Sequence, residues 1–241
     1  MSKIIILGAT GSLGRHVVQQ AVAANHSVSV LTRSQPVALA EFLEKVAVRQ
    51  ADLSEMSASA LAAIFRDHEV VINTAGNVAQ GQAFVELIDH IVAGLELIPE
   101  AEKPVAWFLA GLGLLDIDER GRKGVDLPMI GQNYWPHRSN FDRIRQTNLD
   151  WRILCPGPMV DERALGLSRL RTSLDRLPLD IPDEIQSMPE ASALRFLSNH
   201  MSETVVPYQD AAALMLANIA RGGEMSRHRV GLARLPKGYT R

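Results

Sequence analysis

The chain has 241 residues, enough for one large domain with a well-buried core or for a domain carrying a smaller lobe. Its 46% hydrophobic and 22% charged residues exclude a disordered or collagen-like chain. A net charge of −2 leaves no electrostatic footprint for nucleic acid, and the one basic stretch, "MSRHRVGLARLPKGYTR", reads as solvated surface.

Cys155 is the only cysteine, so no internal disulfide can form and a reducing compartment fits; a buried small hydrophobe is its expected role. No apolar stretch reaches the roughly 18 residues that would span a bilayer, and the chain reads straight into a strand pattern without a signal segment. The expectation is a cytoplasmic protein with no membrane or nucleic-acid partner.

In chain order, the apolar run "KIIILG" opens the sequence and leads into Gly8, Gly11 and Gly14, spaced G-x-x-G-x-x-G, ahead of a helical pattern with Leu13, Val17, Ala21 and Val22 on one face. Strand-like runs follow at "HSVSVLT", "VAVRQ", "EVVINTAG", "PVAWFLAG" and "DWRILCPG". Between the fourth and fifth of these, Phe84, Leu87, Ile88, Ile91, Val92 and Leu95 stripe one helix face. Alternating strand and helix of this kind predicts an α/β fold, a Rossmann-like, doubly wound parallel sheet with helices on both faces. From about 159 to 206 the rhythm breaks at prolines 178, 182 and 189, which reads as a small C-terminal capping lobe inserted over the substrate within a single domain of 1–241. The pattern resumes with a helix in "VPYQDAAALMLANIA" and a last strand at "HRVGLA".

Placed where a first strand turns into a first helix, the three glycines allow a tight turn, a close approach of backbone to phosphate, and close packing of helix on sheet. The open N–H groups and positive end of that helix then suit a pyrophosphate, which points to a nicotinamide dinucleotide. Nineteen residues after Gly14, where an acidic residue usually holds the ribose 2′-hydroxyl, stands Arg33. A guanidinium there favours NADP(H), with NAD(H) still open, and the alternative is an Arg merely exposed at a strand end. Asp52 after the third strand either accepts a hydrogen bond from the adenine amino group or caps a helix, a task Ser54 could serve equally.

The motifs "GATGSLG", "LTRS", "ADL", "VINTAG", "LAGLGLLD", "LDWRILCPGPM" and "VPYQDAAALML" together resemble the atypical short-chain dehydrogenase/reductases of the NmrA-like and NADH-flavin reductase-like group. The resemblance covers most of the chain except about 165–201. It implies NAD(P)H lying across the carboxyl ends of the strands, with Gly8, Thr10, Gly11, Ser12, Leu13 and Gly14 around the pyrophosphate and Arg33 at the adenosine ribose phosphate. It further implies Asp52 and Leu53 at the adenine, Thr74, Ala75 and Gly76 beyond the fourth strand, and Pro156, Gly157 and Pro158 near the nicotinamide.

The departures from the family bear on mechanism. Ala110 and Gly111 stand where orthodox enzymes carry a Ser, and "YWPHR" replaces their Tyr-x-x-x-Lys pair, leaving Tyr134 and His137 as the candidate proton donors. Tyr134 reads alternatively as an exposed aromatic in a mobile loop, and His137 as a polar residue in the first turn of a helix beginning near Pro136. The histidines lack metal-ligand spacing, and no G-x-S-x-G elbow supports hydrolysis. Two functions fit: an NAD(P)H-dependent oxidoreductase passing hydride to a small planar acceptor such as a flavin or quinone, or a non-catalytic NAD(P)-binding redox sensor of NmrA type that engages a protein partner.

Overall fold

The structure, a computed structural model, describes residues 1–33, 35–186 and 188–235. Residues 236–241 of the basic C-terminal stretch, and Ser34 of "LTRS", lie outside the described residues. The first half comprises β1 (Lys3–Leu7), α1 (Ser12–Ala23), β2 (Ser27–Thr32), β3 (Val46–Gln50), α2 (Ala58–Arg66), β4 (Val70–Asn73), α3 (Gln82–Glu96) and β5 (Val105–Leu109). The second comprises α4 (Pro128–Ile144), β6 (Asp150–Pro156), β7 (Met159–Val160), β8 (Leu170–Leu174), α5 (Glu190–Asn199), β9 (Val206–Pro207), α6 (Tyr208–Ala217) and β10 (His228–Arg234).

Eight strands form one sheet in the order β3-β2-β1-β4-β5-β6-β10-β8. All neighbours are parallel except β8, which runs antiparallel to β10. The period of two along β1 divides the core: Ile5 and Leu7 pack with Leu61 and Phe65 of α2 and Ile91 of α3, while Ile4 and Ile6 pack with Val17 of α1 and Met215 of α6. Burial of each such side chain contributes roughly 1.5–3 kcal/mol. Helices therefore cover both faces, as the near-continuous apolar strands require.

Two expectations are corrected. The helix read as starting near Pro136 starts at Pro128, with Pro136 in its interior. Proline at the first helical position loses no hydrogen bond, whereas an interior one removes a donor and costs about 3 kcal/mol, so the sequence rule favoured the wrong proline. Tyr134 consequently sits on a helix and not in a mobile loop, and His137 lies beyond the first turn. The interval 159–206 opens with β7 and closes with β9, which pair with each other, but it is not set apart from the sheet: β8 within it forms the far edge, held to β10 from Leu170↔Arg234 to Leu174↔Val230. The polar run Arg171, Thr172 and Ser173 suits an edge strand and conceals it from a search for apolar runs.

Candidate functional site

The sheet order reverses between β1 and β4, which leaves a crevice at the carboxyl ends of those strands. A cleft of about 480 Å³ occupies this position, with walls from the turn after β1, the ends of β2 and β3, and the segment after β4. Gly8, Thr10, Gly11, Arg33, Asp52, Leu53, Thr74, Ala75 and Gly76 all line it. The sequence reading missed several further lining positions, including Leu31, Asn77 and Gln80. Asn77 and Gln80 were accessible as an N-x-x-Q capping pattern: the Asn77 side chain accepts from Ala79 N–H at 2.8 Å and Gln80 Oε1 accepts from Asn77 N–H at 2.8 Å.

Each glycine of the turn has a different use. Gly8 adopts φ +74°, and a Cβ there would lie 2.5 Å from Ala75 N, so this position needs glycine for both conformation and space. A Cβ on Gly14 would lie 2.2 Å from Gly8 O and 2.8 Å from Ala9 Cα, so its absence is what lets α1 pack against the turn. At Gly11 the protein itself leaves room, the nearest atom being Gly8 O at 3.3 Å. Gly11 caps α1 without a side chain, and the first-turn N–H groups of Ser12, Leu13 and Gly14 point out of the helix end. Gly11 and Ser12 are exposed beside this helix terminus, which fits a diphosphate, though Ser12 itself does not line the cleft. Leu13 and Gly14 are themselves buried and line no part of the cleft wall, so any contact with the phosphates is through their backbone.

Thr74 closes the turn from the other side, its hydroxyl donating to Leu7 O at 2.9 Å and Gly8 O at 3.2 Å. The buried Asn73 accepts from Ala75 N–H at 3.1 Å and so shapes the segment after β4. At the adenosine end, Asp52 accepts from both Ser54 N–H, at 2.9 Å, and the Ser54 hydroxyl, at 2.6 Å. These Ser54 bonds hold its carboxyl below the usual carboxylate range, aided by nearby Arg33, so it stays an acceptor at neutral pH. Neither Asp52 nor Ser54 caps α2; Ser57 does, accepting from Ala60 N–H at 3.2 Å. Arg33 is exposed at the end of β2 on the same wall.

The candidate proton donors stand beyond β4 and β5. Gly76 and Phe84 connect them to the cleft: a Cβ on Gly76 would lie 2.3 Å from the Phe84 ring, and that ring meets His137 edge-on at 5.9 Å. His137 is buried, with Tyr134 stacked on it at 6.2 Å and 18°. A Cβ on Gly111 would lie 3.2 Å from His137 Nε2. The imidazole thus occupies the place beside the rim of β5 where a side chain at 111 would begin. Burial pulls its pKa down to about 4, so it is neutral at pH 7. Tyr134 is 44% exposed. Pro156, Gly157 and Pro158 do not line the cleft. Gly157 has a structural use of its own, since a Cβ there would lie 2.4 Å from Oγ1 of the buried Thr204. Among the described residues, nothing from 159–206 lines the cleft, and no helix is long and apolar enough to cross a membrane.

A parallel sheet of this order, with a glycine turn and an open helix end at its switch point, defines a Rossmann-type nucleotide-binding protein. The chain belongs to the NAD(P)H-binding family, whose model matches residues 8–178. Among sequence relatives, the oxidoreductase swnR of Metarhizium robertsii is 27% identical over 158 residues, which are 65% of this chain and 46% of that protein. Among solved structures, SP1627 of Streptococcus pneumoniae TIGR4, a candidate NADH-flavin reductase, has a TM-score of 0.68 and 17% identity, covering 98% of this chain and all of the other. A wide-type short-chain dehydrogenase/reductase of Veillonella parvula, solved with NADP, has a TM-score of 0.67 and 13% identity over 99% of this chain and 98% of that one. At these identities the structures establish a shared fold.

Proposed function

We propose that this protein is an NADPH-preferring reductase of a small planar acceptor, a flavin or a quinone. The observation that carries the reading is the rim of β5. There Ala110 and Gly111 offer no hydroxyl, and the imidazole against them, with its pKa near 4, cannot serve as a strong general acid at pH 7. When bound, the nicotinamide supplies a hydride. An acceptor ring that takes the electrons into its own atoms, with protons from water, needs little from side-chain acids, whereas a ketone would develop an alkoxide requiring a donor. Of the contiguous aromatic set Phe84, His137 and Tyr134, the first two are buried, and Tyr134, 44% exposed, is the ring left open to stack on a planar group.

Arg33 supports the preference for NADPH, because an exposed guanidinium on the cleft wall suits a 2′-phosphate. The oxidoreductase relative and the candidate NADH-flavin reductase support a reductase without choosing between the two nicotinamide cofactors, and the neighbour solved with NADP shows that this fold can hold the phosphorylated one. The test is steady-state oxidation of NADPH and NADH by purified protein with FMN, FAD and quinones as acceptors. Faster turnover with NADPH and any of these supports the reading. Tight NADPH binding with no turnover of any flavin, quinone or carbonyl would instead favour a cofactor-sensing regulatory protein. Strong activity on ketones or aldehydes, lost 10²-fold or more in Tyr134→Phe or His137→Ala, would restore proton-donating dehydrogenase chemistry.

A further inference from the structure

Helix α4 turns two buried polar atoms inward that have no hydrogen-bond partner, His137 Nδ1 and Asn140 Oδ1. Their residues are 8% and 6% exposed. Three positions apart, they share one helix face, and both line a cavity of about 10 Å³ whose other walls, Phe108, Leu114, Phe141 and Ile153 among them, are apolar. A polar atom left unpaired in such surroundings is costly, and two around one void call for an occupant. A cavity of roughly 10–15 Å³ holds a single water, provided polar partners are there to receive it.

We propose that one water occupies this cavity and fixes His137 in the tautomer that carries its proton on Nε2. The direction follows from counting hydrogens. If the water accepted from Nδ1–H and donated to Asn140, its second hydrogen would point at hydrocarbon. If it donates to both atoms, only lone pairs go unused, and buried acceptors tolerate this better than buried donors do. Turning the Asn140 amide over leaves the result intact, because the water then accepts from Nδ2 and still donates to Nδ1. With Nδ1 as acceptor, the ring N–H lies on Nε2, the atom 3.2 Å from where a side chain at Gly111 would begin. The protein thereby presents a neutral donor at the rim where orthodox enzymes keep a serine hydroxyl. Under the reductase reading, on which this use of the site rests, that N–H holds an oxygen or nitrogen of the acceptor ring, and Asn140 is its positioning residue.

Long-range ¹H–¹⁵N NMR of the intact protein at pH 7 reads the tautomer directly. The expected result is Nε2 as the protonated nitrogen of His137 in the wild-type protein, with Nδ1 at the shift of a hydrogen-bonded acceptor; Asn140→Leu, whose side chain displaces the water, keeps Nε2–H and moves Nδ1 to the shift of an unbonded imine nitrogen. Asn140→Leu should also raise the acceptor KM about three- to tenfold, the loss of one neutral hydrogen bond, with NADPH Kd unchanged. A protonated Nδ1 in the wild-type protein overturns the inference, as does a folded Asn140→Leu protein whose Nδ1 shift is that of the wild-type protein. The NMR reading on the wild-type protein stands alone should that variant fail to fold, and it needs no turnover. Protein carrying Nε2–H that reduces no acceptor supports the water and the tautomer while sinking only the reductase reading.

Discussion

The two ends of the site are made of different materials. The end that fits a diphosphate is backbone: the first turn of α1 presents N–H groups beside the bare Cα of Gly11, whose own N–H donates to Gly8 O at 3.0 Å, and the geometry is set by contacts within one short stretch and its neighbour after β4. The far end is side chains: His137, Asn140 and Phe84 converge from two helices on the rim of β5, and each depends on the packing of the others. Where backbone makes the site, space is the sensitive variable. Where packed side chains make it, solvation and protonation are.

The sharpest test of that contrast lies within the glycine turn. Gly11→Val should weaken binding of both NADPH and NADH by about 100-fold or more, the loss of at least one charge-assisted contact to phosphate, while Tm falls only about 2–4 °C. Gly14→Ala should do the reverse in kind. Its Cβ meets Gly8 O at 2.2 Å, so stability should fall by about 3 kcal/mol or more, roughly 6–12 °C in Tm. Titration and thermal melting of both variants separate a position that is bare for the ligand from one that is bare for the fold.

At the packed end the expected signature is a pH dependence. The folded pKa of His137, about 4, lies below its unfolded value near 6.5. Stability from burying the neutral ring is therefore complete above about pH 6.5 and is lost as pH falls from there toward 4. The whole change is about 3 kcal/mol. Unfolding of the wild-type protein across this window should show a steeper loss than unfolding of His137→Gln; equal slopes would contradict the burial assigned to the ring. A smaller effect is expected for Arg33→Ala, about 10- to 100-fold in NADPH affinity with NADH little changed, since one charged hydrogen bond contributes about 1.5–3 kcal/mol. Equal losses for both cofactors would remove the 2′-phosphate assignment. The smallest effects belong to the proposed chemistry: Tyr134→Phe and His137→Ala should each lower NADPH oxidation with flavin or quinone by less than roughly tenfold, below the range of general acid catalysis.

The same division explains what was legible in the sequence. A backbone site must be written in consecutive residues, so the turn and the strand ends at Arg33 and Asp52 could be placed by spacing and the run from Thr74 to Gly76 by its likeness to a family motif, and they line one cleft. The packed end is written in residues whose proximity depends on tertiary structure. Tyr134 and His137 could be named only by analogy, their helix was started at the wrong proline, and Asn140 carries no signal except its place three residues after His137. Strand β8 was missed because an edge strand need not be apolar on either face. The "PGP" turn illustrates an ambiguity no spacing resolves, since Gly157 is required by Thr204 whatever the cofactor does.

Arg229 on β10 sets an order in time. Its guanidinium bonds Asp116 through both terminal nitrogens, at 2.9 and 3.0 Å, and also reaches Asp175 at 3.1 Å and Leu114 O at 2.7 Å. It thus secures the loop between β5 and α4 to the turn after β8. Asp116 precedes Arg229 by 113 residues, and a ribosome adding about 5–20 residues per second needs roughly 6–23 s to cover that distance. During that interval every residue of the glycine turn and of strands β1 to β5 has already been synthesised, whereas Asp116 has only Lys123, at 3.6 Å, and still lacks the guanidinium that bonds its carboxylate through two nitrogens. A nascent chain therefore has the residues of its nucleotide pocket before it can secure the loop that leads into α4.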